Sequence, residues 1–115
     1  MSDPDALRGE VWDVNLDPVI GHEQAGSRPA LVLSVDLFNG GPADLVVVAP
    51  ITRAGRKVRW HVPLSPPEGG LTADSYIQCE NVRSVSKNRL KRRRGRVSEP
   101  TMQQVEDRLR ILMGL

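Results

Sequence analysis

The chain has 115 residues, enough for one domain with a modest core, and its only aromatics are Trp12, Phe38, Trp60 and Tyr76, so aliphatic side chains must do most of the packing. A lone cysteine, Cys79, excludes an internal disulfide and a thiol metal cluster, and the two histidines, His22 and His61, show no metal-ligand spacing, so neither metal nor cofactor is expected. The net charge is only +2, yet Arg83 to Arg96 carry eight Lys/Arg and no acid, leaving eight basic and fourteen acidic residues elsewhere, a net of −6. Such a block is the footprint expected for nucleic acid or an acidic protein. No apolar run approaches about 18 residues and no signal-peptide pattern opens the chain, so a cytoplasmic protein that does not engage a membrane is expected.

In chain order, residues 1–7 read as a flexible start and residues 8–115 as a single domain. Arg8 to Leu16 alternates (Trp12, Val14 and Leu16 against Asp13 and Asn15), which predicts a half-buried strand. Pro29 to Val35 is apolar enough for burial on both faces, Asn39-Gly40-Gly41-Pro42 is a turn signal, and Asp44 to Thr52 predicts a third strand. Arg53 to Lys57 is a charged loop. Val58, Trp60, Val62 and Leu64 are expected to face inwards and Arg59, His61 and Pro63 outwards, with Pro63 marking an edge strand. After a Pro/Gly-rich loop over 65–72, strands are expected at Ser75 to Cys79, Asn81 to Ser86 and Leu90 to Val97. The period then becomes helical at Met102, Val105, Leu109 and Leu112, with Ser98 as cap, Gly114 beyond the end, and Glu106–Arg110 as an i,i+4 pair. The expected fold is mainly β, a small antiparallel barrel with a C-terminal α-helix packed on it.

The densest chemistry lies in Gly21-His22-Glu23-Gln24-Ala25-Gly26-Ser27-Arg28-Pro29, which runs straight into Ala30-Leu31-Val32-Leu33-Ser34. Two glycines let such a loop fold tightly, and Pro29 biases Arg28 to an extended conformation at the mouth of the strand. These residues, with Arg8-Gly9-Glu10-Val11-Trp12, Ala49-Pro50-Ile51-Thr52, Asn81-Val82-Arg83-Ser84-Val85 and Arg89-Leu90, resemble the MazF/PemK family of bacterial toxins over nearly the whole chain. The resemblance implies an SH3-like, CcdB/PemK-like barrel, a homodimer, and a sequence-specific endoribonuclease that cuts single-stranded RNA without a metal. It also implies a cognate MazE-like antitoxin, whose acidic extended segment would occlude the site.

Metal-free cleavage uses the RNA's own 2′-hydroxyl as nucleophile, so it needs a base, an acid for the departing 5′-oxygen, and positive charge around the phosphorane. Arg28 suits the third task, and Thr52 offers a hydroxyl for a phosphate oxygen; the resemblance places both at the catalytic centre. Glu23 is either a proton carrier or an anchor that orients Arg28, and ranks above His22 as proton carrier. Gln24 either bonds a base or shapes the loop. RNA contacts are expected from His22, Gln24, Ser27, Arg53, Arg56, Lys57, His61, Asn81 and Arg83. Asn81 stands where many family members have glutamine, which shortens its reach. Two rivals remain at this point: a non-catalytic toxin of the same fold that poisons a protein such as DNA gyrase, and a plain nucleic-acid-binding barrel.

Overall fold

Each aliphatic run of the sequence is a strand in the computed structural model, which describes residues 5–16, 27–54 and 58–115. In order they are β1 (Glu10–Val14), β2 (Arg28–Val32), the short helix α1 (Asp36–Asn39), β3 (Leu45–Thr52), β4 (His61–Leu64), β5 (Ser75–Gln78), β6 (Arg83–Ser86), β7 (Leu90–Arg96) and the helix α2 (Glu99–Met113). The sheet runs β4-β5-β3-β2-β1-β7, with β6 also on β3, and the pairings are antiparallel. The mainly-β architecture with a C-terminal helix is therefore as expected.

β3 holds the layers together because it is long enough for three neighbours. Its Val48–Pro50 stretch pairs with β2, its Leu45–Val48 half with β6, and its Ile51–Thr52 end with β5. Alternation along β3 then sends side chains into two cores. Ala49 and Ile51 join Val11, Leu31, Val62, Ile77, Met102 and Val105 on the side of α2. Val46 and Val48 join Ala6, Val14, Ala30, Val32 and Val85 on the other. The inner strands are thus buried on both faces, which is why β2 reads as a continuous apolar run rather than an alternating one.

β4 and β7 end the strand path without pairing to each other, so the barrel is partly open. The turn Glu68–Gly70 fills this gap by lying on β7. A Cβ at Gly70 (φ 70°) would sit 2.1 Å from the Arg94 carbonyl oxygen, and one at Gly95 would sit 2.7 Å from the Gly70 nitrogen. Only glycine permits that approach and that φ together.

Several local expectations are corrected. β1 is shorter than 8–16, and irregularities between Val11/Trp12 and Asp13/Val14 disturb its register with β7. A helical turn, α1, precedes the Gly40–Gly41 turn. β4 begins only at His61: the Val58 carbonyl accepts the His61 N–H in a turn, leaving Val58 42% exposed and Trp60 half-buried with the Arg59 guanidinium 5.8 Å from its ring centroid. Pro63 does lie on an edge strand. Asn81 falls in the 3-10 turn Cys79–Asn81 before β6 rather than within the strand.

α2 has the expected caps, with Ser98 Oγ accepting the Thr101 N–H and Gly114 left-handed at φ 72°. Met102 and Val105 are buried, whereas Leu112 is exposed. The Glu106–Arg110 pair is replaced. Glu106 bonds Arg8 at 2.8 Å, and Arg110 turns to Asp107 at 3.2 Å, because Arg8 is held beside α2 by its own bond to the Leu33 carbonyl. In the expected flexible start, Ala6 is buried and Asp5 pairs with Lys87 at 2.8 Å.

Candidate active site

Arg28 opens β2 and Thr52 closes β3. The register Ala30↔Pro50 runs the two strands antiparallel, so stepping two residues outwards from that pair brings Arg28 and Thr52 to the same end of the sheet. Both residues line two adjoining clefts. One, of about 420 Å³, continues over Ser27, Arg53, Thr72, Ser75 and Arg94. The other, of about 310 Å³, continues over Leu16, Gln78, Asn81 and Arg83. Arg28 and Thr52 thus form the shared ridge between a larger and a smaller hollow. None of the described residues lining either hollow is acidic.

The local chemistry suits an anion. Arg28 is exposed and presents a planar fork of donors that matches phosphate oxygens. Thr52 Oγ1 accepts the Ala54 N–H at 3.1 Å, which occupies one lone pair and leaves its own proton to donate. Arg53 donates to Thr72 Oγ1 at 3.4 Å across the mouth of the larger hollow. Arg94 is more firmly held, by Asp13 Oδ1 at 3.2 Å and the Gly70 carbonyl at 3.2 Å.

Of the residues expected at the site, Arg28, Thr52, Ser27, Arg53, Asn81 and Arg83 come together here. His22, Glu23, Gln24, Arg56 and Lys57 lie outside the described residues. His61 lines neither hollow. Its ring is only 9% exposed, not on an open face, and Nε2 lies 2.9 Å from Glu80 Oε2. Sequence reasoning missed Thr72, Ser75, Gln78 and Arg94 as lining residues. Strand alternation alone cannot say which members of a basic run reach a given hollow.

The basic block does not act as one surface. Arg83 belongs to the smaller hollow and Arg94 to the larger, while Lys87, Arg92 and Arg93 turn to Asp5, Asp13 and Glu10. A third hollow, about 640 Å³, lies over Trp12, Leu90, Lys87 and Lys91, and its lining includes neither Arg28 nor Thr52. Glu10, buried within β1, accepts the Leu7 N–H, the Trp12 indole and the Arg93 guanidinium. Burial opposes its charge, but those three donors outweigh burial and hold its pKa below the usual carboxylate value. Among the described residues no group of three or more His, Cys, Asp and Glu converges as metal ligands would, and no helix is long and apolar enough to cross a membrane.

The chain is similar to known proteins over nearly its whole length. Residues 7–113 match the family described as PemK-like, MazF-like toxins of type II toxin-antitoxin systems. Endoribonuclease MazF9 of Mycobacterium tuberculosis (strain ATCC 25618 / H37Rv) is 38% identical, with 94% of this chain and 96% of that protein covered. The crystal structure of MazF (Form-I) from Deinococcus radiodurans superposes with a TM-score of 0.82 at 27% identity, over 98% of this chain and all of that one. An endoribonuclease in complex with its cognate antitoxin, from a mycobacterial species, superposes with a TM-score of 0.78 at 27% identity, covering 96% of each chain. With a family match across nearly its whole length and a relative of this identity, the chain belongs to the PemK-like, MazF-like toxins of type II toxin-antitoxin systems.

Proposed function

We propose that this toxin is a metal-independent endoribonuclease that cuts single-stranded mRNA in the cytoplasm, and that Arg28 and Thr52 form its catalytic centre. The observation that carries this reading is the ridge the two residues share between two hollows with no described acidic lining. An RNA strand laid across the ridge would leave one nucleotide in each hollow and the connecting phosphate against Arg28.

In the reaction the 2′-oxygen of the upstream ribose attacks the phosphorus and loses its proton to a base. The bond from phosphorus to the 5′-oxygen breaks, and that oxygen takes a proton from an acid. The products are a 2′,3′-cyclic phosphate and a 5′-hydroxyl end. Arg28 neutralises charge that grows on the non-bridging oxygens, and the Thr52 hydroxyl donates to one of them. Glu23 and His22 are the proposed proton carriers, with Glu23 preferred. Ser27, Arg53, Arg56 and Lys57 would hold the backbone, while Gln24, Asn81 and Arg83 would contact backbone or bases; His61, turned to Glu80 and outside both hollows, has no part in this reading.

Two partners follow from the same reading. An antitoxin of MazE type would occupy the cationic ridge with an acidic extended segment, as carboxylates and phosphates take similar charge-assisted bonds from arginine. A second copy of the chain would cover the apolar end of α2, where Ile111, Met113 and Leu115 are 64%, 60% and 85% exposed. The test is incubation of purified protein with a mixed RNA pool in excess EDTA, followed by mapping of the cut sites and chemistry of the new ends. Cyclic phosphate ends from the wild type, absent for Arg28→Ala, are expected. Cleavage that stops on chelation and resumes with a divalent ion would overturn the mechanism.

A further inference from the structure

Building on the ribonuclease reading above, we infer that Arg94 is a second phosphate-binding residue, which grips the RNA backbone one phosphate away from the cleaved bond within the larger hollow. Arg94 stands in that hollow with Arg28 and Thr52. Its side chain is only 18% exposed, and two of its five N–H donors are engaged, through Nη1 to Asp13 and Nη2 to Gly70. Among the described residues the other three donors have no hydrogen-bond partner, so they are available to a ligand.

Three features separate Arg94 from its neighbours in the basic block. Its main chain is fixed by the Gly70–Gly95 approach, where no side chain fits, so the guanidinium starts from a rigid base. Its side chain is anchored on both nitrogens, so little rotamer freedom is lost on binding. Asp13 does not cancel the cation, because this one carboxylate serves both Arg92 (3.4 Å) and Arg94 (3.2 Å), and the hollow also contains Arg28 and Arg53. Arg92 by contrast is 72% exposed on its side chain and lines the separate groove over Trp12. An anchored cation with donors to spare, beside a ridge that holds the scissile phosphate, is a site for the adjoining phosphate.

A cycle between protein and RNA charge tests this. The probe is a short RNA across a mapped cleavage site, made uncleavable by a 2′-deoxy ribose there, with single neutral methylphosphonates on either side of the scissile phosphate. Arg94→Gln is expected to bind the fully charged probe about tenfold more weakly. It should lose nothing further at the one position where the methylphosphonate removes its partner, so the two losses do not add. Circular dichroism of the variant should match wild type. Should Arg94→Gln fail to fold, Arg94→Lys carries the same cycle, its smaller loss confined to the same phosphate. Wild-type affinity for either folded variant, or a loss of equal size against every methylphosphonate probe, overturns the inference and leaves Arg94 as a purely structural tie to Gly70. Failure of the reaction reading is distinguished in parallel: it shows as wild-type protein that cuts no RNA, whereas normal cleavage, dead Arg28→Ala and unaltered Arg94→Gln sink this inference alone.

Discussion

Thr101 donates its hydroxyl to Glu68 Oε2 at 2.6 Å, and the same oxygen accepts the Ser98 N–H at 2.8 Å. The turn that bridges the open side of the barrel therefore also caps α2, and it places a negative charge at the positive end of that helix. One carboxylate links the gap between β4 and β7 to the helix that covers the core.

Glu68 should make the fold sensitive to acid. Burial disfavours its charged form, but the bonds from Ser98 and Thr101 outweigh burial and lower its pKa below the ordinary 4.5. A depressed carboxylate contributes stability that is complete above the unfolded value and is lost as pH falls through the folded one. Glu68→Gln should cost about 1.5–2 kcal/mol in urea unfolding at pH 7, the low end of the range for hydrogen bonds to a charged group. The difference from wild type should be smaller at pH 3 than at pH 7, because Glu68 takes up its proton as pH falls through its lowered pKa. An equal gap at both pH values would show that the charge is not what matters.

Gly70→Ala should be among the most damaging single substitutions. The added methyl would meet the Arg94 carbonyl at 2.1 Å, and the residue would have to keep a left-handed φ of 70°. Overpacking and the left-handed penalty together predict about 3 kcal/mol of lost stability. Chemical denaturation measures it directly. A loss under about 1 kcal/mol would mean that the turn can lift from β7 without consequence, a result outside the usual range for overpacking.

Cys79 should behave as a core residue and not as a reactive thiol. Burial pushes its pKa up to about 11, Glu80 adds to the rise, and Arg108 opposes it. The thiolate needed for alkylation is therefore scarce near neutrality, and the sulfur sits in the core on the α2 side. Iodoacetamide should label the native protein at least about 10²-fold more slowly than the denatured one. Comparable rates would show that the Cys79–Asn81 turn opens readily.

Thr52 separates a hydroxyl effect from a packing effect. Thr52→Val keeps the shape but removes both the donor for phosphate and the acceptor for the Ala54 N–H. Its kcat for RNA cleavage should fall by about 10², the order for loss of one charge-stabilising donor. Thr52→Ser should keep most of the activity. If valine were tolerated, the hydroxyl would have no part in the chemistry.

Much of the fold was legible because local and global signals agree. Aliphatic runs are strands, Ser98 and Gly114 cap α2, and Pro63 lies on an edge. The pairing of Arg28 with Thr52 was suggested by the family pattern, and only the β2–β3 register gives it a physical cause. Partners distant in sequence were not legible. Glu106 turned from Arg110 to Arg8, ninety-eight residues away, and the acids that neutralise much of the basic block come from the first fifth of the chain. Arg94 was hidden for a related reason. Irregular register between β1 and β7 breaks the strict alternation that would otherwise assign each residue of β7 to a face.

The cationic surface around Arg28 and Thr52 also suits control by an acidic partner. Arg28 and Thr52 line both hollows, with Arg53 and Arg94 on one side and Arg83 on the other, so any acidic chain that crosses the ridge must cover the path proposed for RNA. A disordered acidic segment can wrap such a surface while paying its ordering entropy only on binding. RNA and antitoxin should therefore exclude each other. RNA affinity should also fall with salt by about 0.7 log units per log unit of salt for each phosphate neutralised. A titration of Arg28→Ala, bound to a labelled short RNA, with the acidic segment of the antitoxin should displace the RNA completely. Arg94→Gln should lower the salt slope by about one phosphate's share. A stable ternary complex with unchanged RNA affinity would mean that the antitoxin inhibits from another face of the barrel.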